Sequence, residues 1–180
     1  MLKDVLIGNN PYEYIRNNKD EIYKIIPELK VCDGFDQHND YHIYDVLEHI
    51  LHVLDYVENN YLLRIAALFH DIGKPECFIL DDEGIGHFYG HWNKSIEIFN
   101  KYIDLFDLSD SDVKLIIDLI YYHDLSMTRD NIPLFESVFN DKLNLLISLK
   151  KADILAQNSK YSDRVVELEK LLYEASNSVF

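Results

Sequence analysis

The sequence has few of the residues that interrupt helices. It contains 6 glycines and 4 prolines among 180 residues, with no internal repeat and no low-complexity linker. Its two cysteines, Cys32 and Cys77, lie far apart and show no C-x-x-C spacing, so neither a disulfide framework nor a cysteine metal site is expected. We therefore expect one domain over residues 1–180 in a reducing compartment, the cytoplasm.

Long apolar runs are also absent. No stretch approaches the roughly 20 residues that a membrane-spanning helix needs. The N-terminal segment MLKDVLIGNNPYEY lacks the apolar centre of a signal peptide. No membrane partner is expected.

Basic residues are scarce relative to acidic ones. The chain has 17 Lys and Arg against 32 Asp and Glu, a net charge of -15. Such a surface repels nucleic acid and anionic membranes, so we expect no nucleic-acid polymer as a partner. A small phosphorylated substrate would need a local positive centre, either a metal ion or a few placed basic residues.

Helical periodicity is what the sequence has in abundance. Asn10, Pro11 and Glu13 read as the start of one or two helices over 10–29. Apolar residues recur at helical spacing from Tyr41 to Val57. A buried helix is predicted over 61–72, ended by Gly73 and Pro75. Further helices are predicted over about 92–106, 110–123, 141–157 and 162–175.

One stretch departs from this pattern. In CFILDDEGIGHFYG, two short apolar runs flank Asp81–Gly84, which predicts a minor β-hairpin near residues 77–89. The fold class is therefore all-α, a bundle of about seven helices with one hairpin. The apolar stripe of the last helix, 162–175, is expected to pack on the core together with the N-terminal helices of 10–29. The sequence leaves the oligomeric state open.

Histidines and aspartates occupy positions that face the predicted core. His49 lies within an apolar stripe, His70 and Asp71 end the buried helix, and Asp153 is in register with Leu146 and Leu149. A single buried polar residue is more often structural. Several on separate helices indicate a shared divalent cation, since unpaired buried charges cost several kcal/mol. Imidazole with carboxylate suits Mn, Fe, Co, Ni or Zn better than Mg.

These residues also carry a resemblance. The order His49, His70-Asp71, Asp153 resembles the signature of the HD-domain superfamily of metal-dependent phosphohydrolases. The segments YHIYDVLEHILHVL, LLRIAALFHDIGKPE and DDEGIGHFYGH are similar to the HD domain of bacterial CCA-adding tRNA nucleotidyltransferases. The similarity runs over about residues 37–153.

The resemblance implies a ligand set. His49, His70, Asp71 and Asp153 would hold one metal ion, with Asp71 able to bridge to a second. His91 and His123 fall where two-metal members supply the second ion's histidines. In one-metal members such histidines contact the substrate phosphate, so one or two ions remain alternatives.

The chain also departs from the nucleotidyltransferases. It has no counterpart of their glycine-rich strand turn and paired catalytic aspartates. We therefore expect a stand-alone HD domain that does not add CCA to tRNA.

Other residues near the motif are candidates for substrate contact. Lys74 would hold a phosphate oxygen or assist the leaving group, or else be a solvated residue at a helix C-terminus. His42 is placed seven residues before His49, on the same helix face. His87 is expected at the rim of the site. Lys94 and Arg129 would meet a phosphate, although surface exposure is the more common fate of such residues.

The function that this resemblance implies is hydrolysis of a small phosphate ester, either a 2′,3′-cyclic phosphodiester or a nucleoside monophosphate. Asp71 would orient the attacking water, and Lys74, His91 and His123 would neutralise charge on the phosphoryl oxygens. The main alternative is a non-catalytic regulatory module that binds metal and nucleotide. Oxygenase chemistry at a di-iron site is a less favoured alternative. The intact ligand set argues against a degraded enzyme with only a structural role.

Overall fold

The computed structural model describes residues 2–177, and these form helices and one small hairpin. The hairpin pairs β1 (Ile79–Leu80) with β2 (Gly86–His87) in antiparallel register, Ile79 opposite His87. The α-helices of the described residues are α1 (Leu2–Ile7), α2 (Pro11–Asn17), α3 (Lys19–Ile25), α4 (Glu28–Cys32), α5 (Val46–Tyr56), α6 (Tyr61–Phe69), α7 (His91–Asn100), α8 (Asp110–Tyr122), α9 (Ile132–Phe139), α10 (Leu143–Leu155) and α11 (Asp163–Asn177). Four short 3-10 turns lie among them: Lys74–Cys77, Ile103–Leu105, Asn140–Lys142 and Ser159–Tyr161.

Helix α6 lies at the centre of the fold. It packs against α5 and α8, and α5 packs in turn against α10. Every residue of α6 from Leu63 to Phe69 is buried. The one charged residue among them, Arg64, donates to the carbonyl oxygens of Leu6 and Gly8, both at 2.7 Å. Each large apolar side chain buried here stabilises the fold by about 1.5–3 kcal/mol. Because this buried helix ends at Phe69, the next two residues, His70 and Asp71, also lie in the interior.

The all-α class and the hairpin are confirmed, but the helices are more numerous than the seven or so predicted. Residues 10–29 contain α2, α3 and the start of α4, where one or two helices were predicted. The short helices α1 and α9 were not predicted at all. Helices of five to eight residues are shorter than the window over which helical periodicity can be read.

The start of α5 corrects one prediction. The helix begins at Val46 rather than near Tyr41, because the side chain of Asp45 caps it by accepting from the backbone N–H of Glu48 at 2.8 Å. His42 therefore precedes the helix and does not share a helical face with His49. The loop nevertheless places the two rings edge to face, with centroids 4.8 Å apart.

The end of α6 differs as well. The helix ends at Phe69, before the predicted residue 72, and Gly73 has an ordinary φ of -82°. What requires glycine there is space. A Cβ at this position would lie 2.6 Å from the backbone nitrogen of Ser95 and 2.7 Å from the carbonyl oxygen of His91. Gly73 thus allows the chain after Asp71 to touch the first turns of α7.

The peripheral helices cover the central ones. α1 packs on α6, α2 packs on α5, and α11 packs on α10. In α11, Leu168 is buried while Val166 is 64% exposed. Among residues 2–177, no helix combines the length and the apolar character needed to cross a membrane.

Candidate metal centre

Four side chains from three helical regions meet in the core to form what we call the first cluster: His49, His70, Asp71 and Asp153. His49 lies on α5, His70 and Asp71 directly follow α6, and Asp153 lies on α10. The Nε2 atom of His49 is 3.0 Å from Asp153 Oδ1 and 3.2 Å from Asp71 Oδ2. The Nε2 atom of His70 is 3.3 Å from the same Asp71 oxygen and 3.4 Å from His49 Nε2.

The other oxygen of Asp71 faces a second cluster, formed with His91 and His123. His91 is the first residue of α7 and His123 follows the last residue of α8. Asp71 Oδ1 is 3.1 Å from His91 Nε2 and 3.5 Å from His123 Nε2, and these two nitrogens are 3.3 Å apart. Asp71 therefore lies between two groups of donors and offers one oxygen to each.

All four histidines are held in the same tautomer by the backbone. A carbonyl oxygen can only accept, so each Nδ1 in contact with one carries the proton. In the neutral imidazole, which is the form that binds metal, the Nε2 atom then carries a lone pair, and the four Nε2 atoms face one another and the carboxylates. The Nδ1 contacts are His49 with Ala156 O at 3.3 Å, His70 with Ala67 O at 2.8 Å, His91 with Phe88 O at 2.9 Å and His123 with Ile120 O at 2.7 Å.

The spacing of these nitrogen and carboxylate oxygen atoms suits bound cations. Nitrogen and oxygen ligands about 2.0–2.2 Å from a metal ion lie about 2.8–3.6 Å from each other when adjacent at tetrahedral or octahedral angles. Apart from 4.0 Å between His70 Nε2 and Asp153 Oδ1, the separations above fall in this range. Asp71 Oδ1 is moreover buried without a hydrogen-bond partner, as expected of an oxygen positioned to bind a metal ion.

The titration behaviour of these groups agrees with that interpretation. Burial opposes a charge on His49, but hydrogen bonds to Asp153 and Asp71 outweigh it and raise the His49 pKa to about 9. Burial likewise opposes the charge of Asp71, yet Lys74 and His70 hold the pKa of that carboxyl well below its usual range. For His123, burial prevails and lowers the pKa. The site thus favours ionised carboxylates with positive charge beside them.

Lys74 is part of the interior and is not a solvated lysine. Its Nζ donates to Asp71 Oδ2 at 2.7 Å and to the side-chain oxygen of Gln37 at 2.9 Å. A longer contact of 3.5 Å reaches His42 Nε2. Burial, followed by the charge of Lys74, lowers the His42 pKa to about 2, so His42 is neutral. Lys74 therefore fixes Asp71. Among the described residues, it is the one Lys or Arg within hydrogen-bonding distance of that carboxylate.

Ser95 fixes the turn that contains His70 and Asp71. This residue of α7 is fully buried. Its hydroxyl donates to the carbonyl oxygen of His70 at 2.9 Å and accepts from the backbone N–H of Gly73 at 3.0 Å. The turn between the two clusters is thus clamped from the helix that also supplies His91.

Lys150 secures the far side of the second cluster. It lies on α10, is 6% exposed, and donates through Nζ to the carbonyl oxygens of His123 at 2.6 Å and Leu125 at 2.7 Å. Its ammonium also lies over the Phe135 ring, 5.7 Å from the centroid. Burial lowers the Lys150 pKa to about 8. Carbonyl oxygens at and beyond the end of a helix have no partner within that helix. Lys150 reaches across from α10 to two such oxygens beyond the end of α8, and so holds in place the chain segment that carries His123.

The remaining predicted substrate contacts are not all near the clusters. His87 lies at the rim, where its Nε2 is 2.7 Å from Asp81 Oδ2. Lys94 points away and pairs with Glu76 at 2.8 Å and Glu97 at 3.2 Å. Arg129 pairs with Glu174 at the surface. The structure therefore brings neither Lys94 nor Arg129 to the metal centre.

Two neighbouring cavities border the clusters. We call the smaller one, of about 220 Å³ and lined by Asp71, Lys74, His87, His91 and Trp92 among others, the phosphate recess. The larger, of about 770 Å³, lies between α10, α11 and the segment 39–42; we call it the side cavity. The residues that line both are His42, His123, Asp124, Asp153 and Gln157.

Sequence reasoning missed three supporting residues. Lys150 could have been found, because it follows Leu146 by four positions and lies on the same helical stripe as Leu149 and Asp153. Gln37 and Ser95 carried no such signal. Their positions depend on contacts between distant segments.

The fold and the site define the general class of this protein: an all-α bundle with a buried centre of histidines and aspartates. The model of the family described as HD domain matches residues 39–158. The chain therefore belongs to the HD domain family, within the superfamily of metal-dependent phosphohydrolases, and the predicted resemblance is confirmed.

One characterised relative extends this comparison. The A-adding tRNA nucleotidyltransferase of Deinococcus radiodurans is 32% identical over 112 residues, which is 59% of this chain and 26% of the relative. The chain thus spans about a quarter of that relative's length.

Proposed function

We propose that this protein hydrolyses a small phosphate ester at a two-metal centre, and that the substrate is a nucleotide with either a monoester or a 2′,3′-cyclic phosphodiester. The observation that carries the proposal is the position of Asp71. Its two oxygens face two histidine clusters whose donor atoms have the spacing of metal ligands. That geometry favours two ions over one.

The ligand assignment follows from the contacts. His49, His70, Asp71 and Asp153 would hold the first ion, and Asp71, His91 and His123 the second. Divalent transition metals suit this mixed nitrogen and oxygen set. Bound there, they would lower the pKa of a coordinated water and polarise the phosphoryl oxygens.

The charge of the phosphate recess supports the need for metal. Among the described residues, its lining includes three carboxylates, Asp71, Asp124 and Asp153, and one Lys or Arg, which is Lys74. An anionic phosphoryl group would be repelled by this lining unless cations occupied the clusters. The family and the electrostatics therefore point to the same centre.

The side chains have distinct roles in the proposed reaction. Asp71 accepts a hydrogen bond from the attacking water and orients it in line with the scissile bond. Lys74 neutralises charge on a phosphoryl oxygen, exchanging its long contact with His42 for the substrate. The water oxygen forms a bond to phosphorus as the ester P–O bond breaks. A proton given up by that water passes through solvent to the leaving oxygen, so the products are the alcohol and the phosphate.

A small substrate is preferred to tRNA on electrostatic grounds. The net charge of -15 disfavours a polyanion. The relative's name refers to tRNA, but the chain spans only a quarter of that protein. Transfer RNA is accordingly one arm of the test.

The test combines metal content with turnover. Purified protein is loaded with Mn, Fe, Co, Ni or Zn, and hydrolysis of bis-p-nitrophenyl phosphate, nucleoside monophosphates, 2′,3′-cyclic nucleotides and tRNA ends is compared between wild type and Asp71→Ala. We expect two metal equivalents and nucleotide hydrolysis, both lost in Asp71→Ala. The control Asp82→Ala removes an exposed aspartate from the hairpin loop and should retain both.

Other outcomes would redirect the proposal. Metal and nucleotide binding without turnover would favour the regulatory module. Absence of metal after reconstitution would contradict the centre itself.

A further inference from the structure

The side cavity adjoins the phosphate recess directly. The five residues that line both cavities form their shared wall, and two of them, His123 and Asp153, are in the clusters. At about 770 Å³, the side cavity is far larger than a phosphoryl group needs and falls within the size range of small-molecule sites. If the phosphoryl group of a substrate lies at the metal centre, the organic group esterified to it would extend into the side cavity.

The side cavity is lined by apolar and hydrogen-bonding groups together. Four of its residues, Met127, Ile154, Leu168 and Leu171, are apolar. Tyr41 and Tyr161 also line it and stack with ring centroids 4.7 Å apart. Another part carries the side-chain amide of Gln157, whose oxygen accepts from the Arg164 guanidinium at 3.0 Å. This mixture suits a bulky organic group that has both apolar faces and polar edges.

The charges of the side cavity disfavour further phosphates. Its two cations already have partners, since Lys150 donates to the carbonyls of His123 and Leu125 and Arg164 donates to Gln157. Asp124, Asp153 and Glu167 face the same space. A second phosphate would therefore meet these carboxylates, and among the described lining residues Arg164 is the one Lys or Arg whose charge is not held by backbone carbonyls.

We propose that the side cavity binds the nucleoside of a substrate that carries a single phosphoryl group, so that nucleoside monophosphates and 2′,3′-cyclic mononucleotides are selected over di- and triphosphates. This inference rests on the proposed function. It adds a binding site for the organic group and a reason for discrimination by phosphate number.

Isothermal titration of the metal-loaded protein tests it by binding. The probes are inorganic phosphate and the slowly hydrolysed phosphorothioate analogues of AMP and ADP. We expect the AMP analogue to bind at least about tenfold more tightly than phosphate, and the ADP analogue to bind less tightly than the AMP analogue. Leu171→Trp, which fills the side cavity, should remove the advantage of the AMP analogue while phosphate binding stays unchanged.

Two controls separate occupancy from general damage. Val166→Trp introduces the same side chain on the same helix at an exposed position outside the side cavity, and should bind like wild type. Glu167→Lys should raise affinity for the ADP analogue several-fold. Glu136→Lys makes the same charge change on the exposed side of α9 and should not.

The outcomes distinguish this inference from the proposed function. Unchanged AMP-analogue affinity in Leu171→Trp, or an ADP analogue that binds wild type as tightly as the AMP analogue, overturns the nucleoside site even if esters are hydrolysed. Failure of phosphate itself to bind the metal-loaded protein would instead count against the metal centre and, with it, the proposed function.

Discussion

The two clusters share Asp71 but are built from different parts of the fold. The first takes His49 from the middle of α5 and Asp153 from the last turn of α10, with His70 directly after the buried helix α6. The second takes His91 and His123 from the first residue of α7 and the residue after α8, where helices are held by fewer of their own hydrogen bonds. Lys150 braces the end of α8 from the neighbouring helix α10, whereas Ser95 of α7 clamps the turn that contains His70 and Asp71. The His123 side of the second cluster therefore depends on the hydrogen bonds of one lysine, and we expect the second cluster to be the more easily disturbed.

The largest effect should come from breaking the first cluster. Asp153→Ala removes the carboxylate closest to His49. We expect loss of the first ion and a decrease in kcat/KM of at least about 10³-fold, or about 4 kcal/mol. This decrease is larger than the loss of about 10–100-fold in activity that is typical when a residue hydrogen-bonded to a metal ligand is removed. Metal analysis and ester hydrolysis measure both. Asp130→Ala, at an exposed position outside the clusters, is the control, and near-normal metal content in Asp153→Ala would contradict the assignment.

Breaking the second cluster alone should cost less. His123→Ala removes one Asp71 Oδ1 neighbour but leaves the first cluster complete. We expect one metal equivalent to remain and kcat/KM to fall about 10²-fold, about 2.7 kcal/mol. The exposed His38, changed to Asn, serves as the control. Loss of both ions in His123→Ala would show that the clusters cannot be occupied separately.

Proton binding gives a third distinction. The His49 pKa is raised to about 9, above the ordinary 6.5 of the unfolded chain, so its protonation stabilises the metal-free fold fully below pH 6.5, and this stabilisation is lost as pH rises towards 9. Between pH 6.5 and 8 the free energy of unfolding should fall by about 2 kcal/mol. His123 has a lowered pKa, so its contribution has the opposite sign and falls mainly below pH 6.5.

Urea unfolding in the presence of a chelator measures this dependence. The metal-loaded protein is the comparison. A metal-bound His49 has no proton at Nε2 to lose, so the free energy of unfolding of the metal-loaded protein should not fall over the same range. Equal pH dependence with and without metal would contradict the expected role of His49.

The smallest effect should follow loss of the brace on His123. Lys150→Met keeps much of the side-chain volume but removes the hydrogen bonds to His123 and Leu125. We expect affinity for the second ion to fall about tenfold, about 1.4 kcal/mol, with the first unchanged. Lys151→Met is the matched control, since the adjacent lysine pairs with Glu169 at the surface. Equal metal titrations for the two variants would mean that Lys150 does not position the second cluster.

Particular residues show how far the sequence could be read. His49 and Asp153 were predicted because each interrupts an apolar stripe, and the helix start at Asn10 and Pro11 was predicted from local pattern and is confirmed. The start of α5 was wrong because Asp45 caps the helix later than the apolar pattern suggested. Helices as short as α1 and α9 left too few turns for their periodicity to register.

The sequence by itself determined the helical class and the family, and it predicted the histidine and aspartate donors, because periodicity and local motifs are properties of neighbouring residues. Only the tertiary structure decided that Asp71 faces two clusters, that Lys74 is buried against Gln37 rather than solvated, and that Lys150 holds His123. It also decided that Lys94 and Arg129 turn to the surface. These outcomes depend on which distant segments pack together, and a side chain's direction and burial are settled only when that packing is complete.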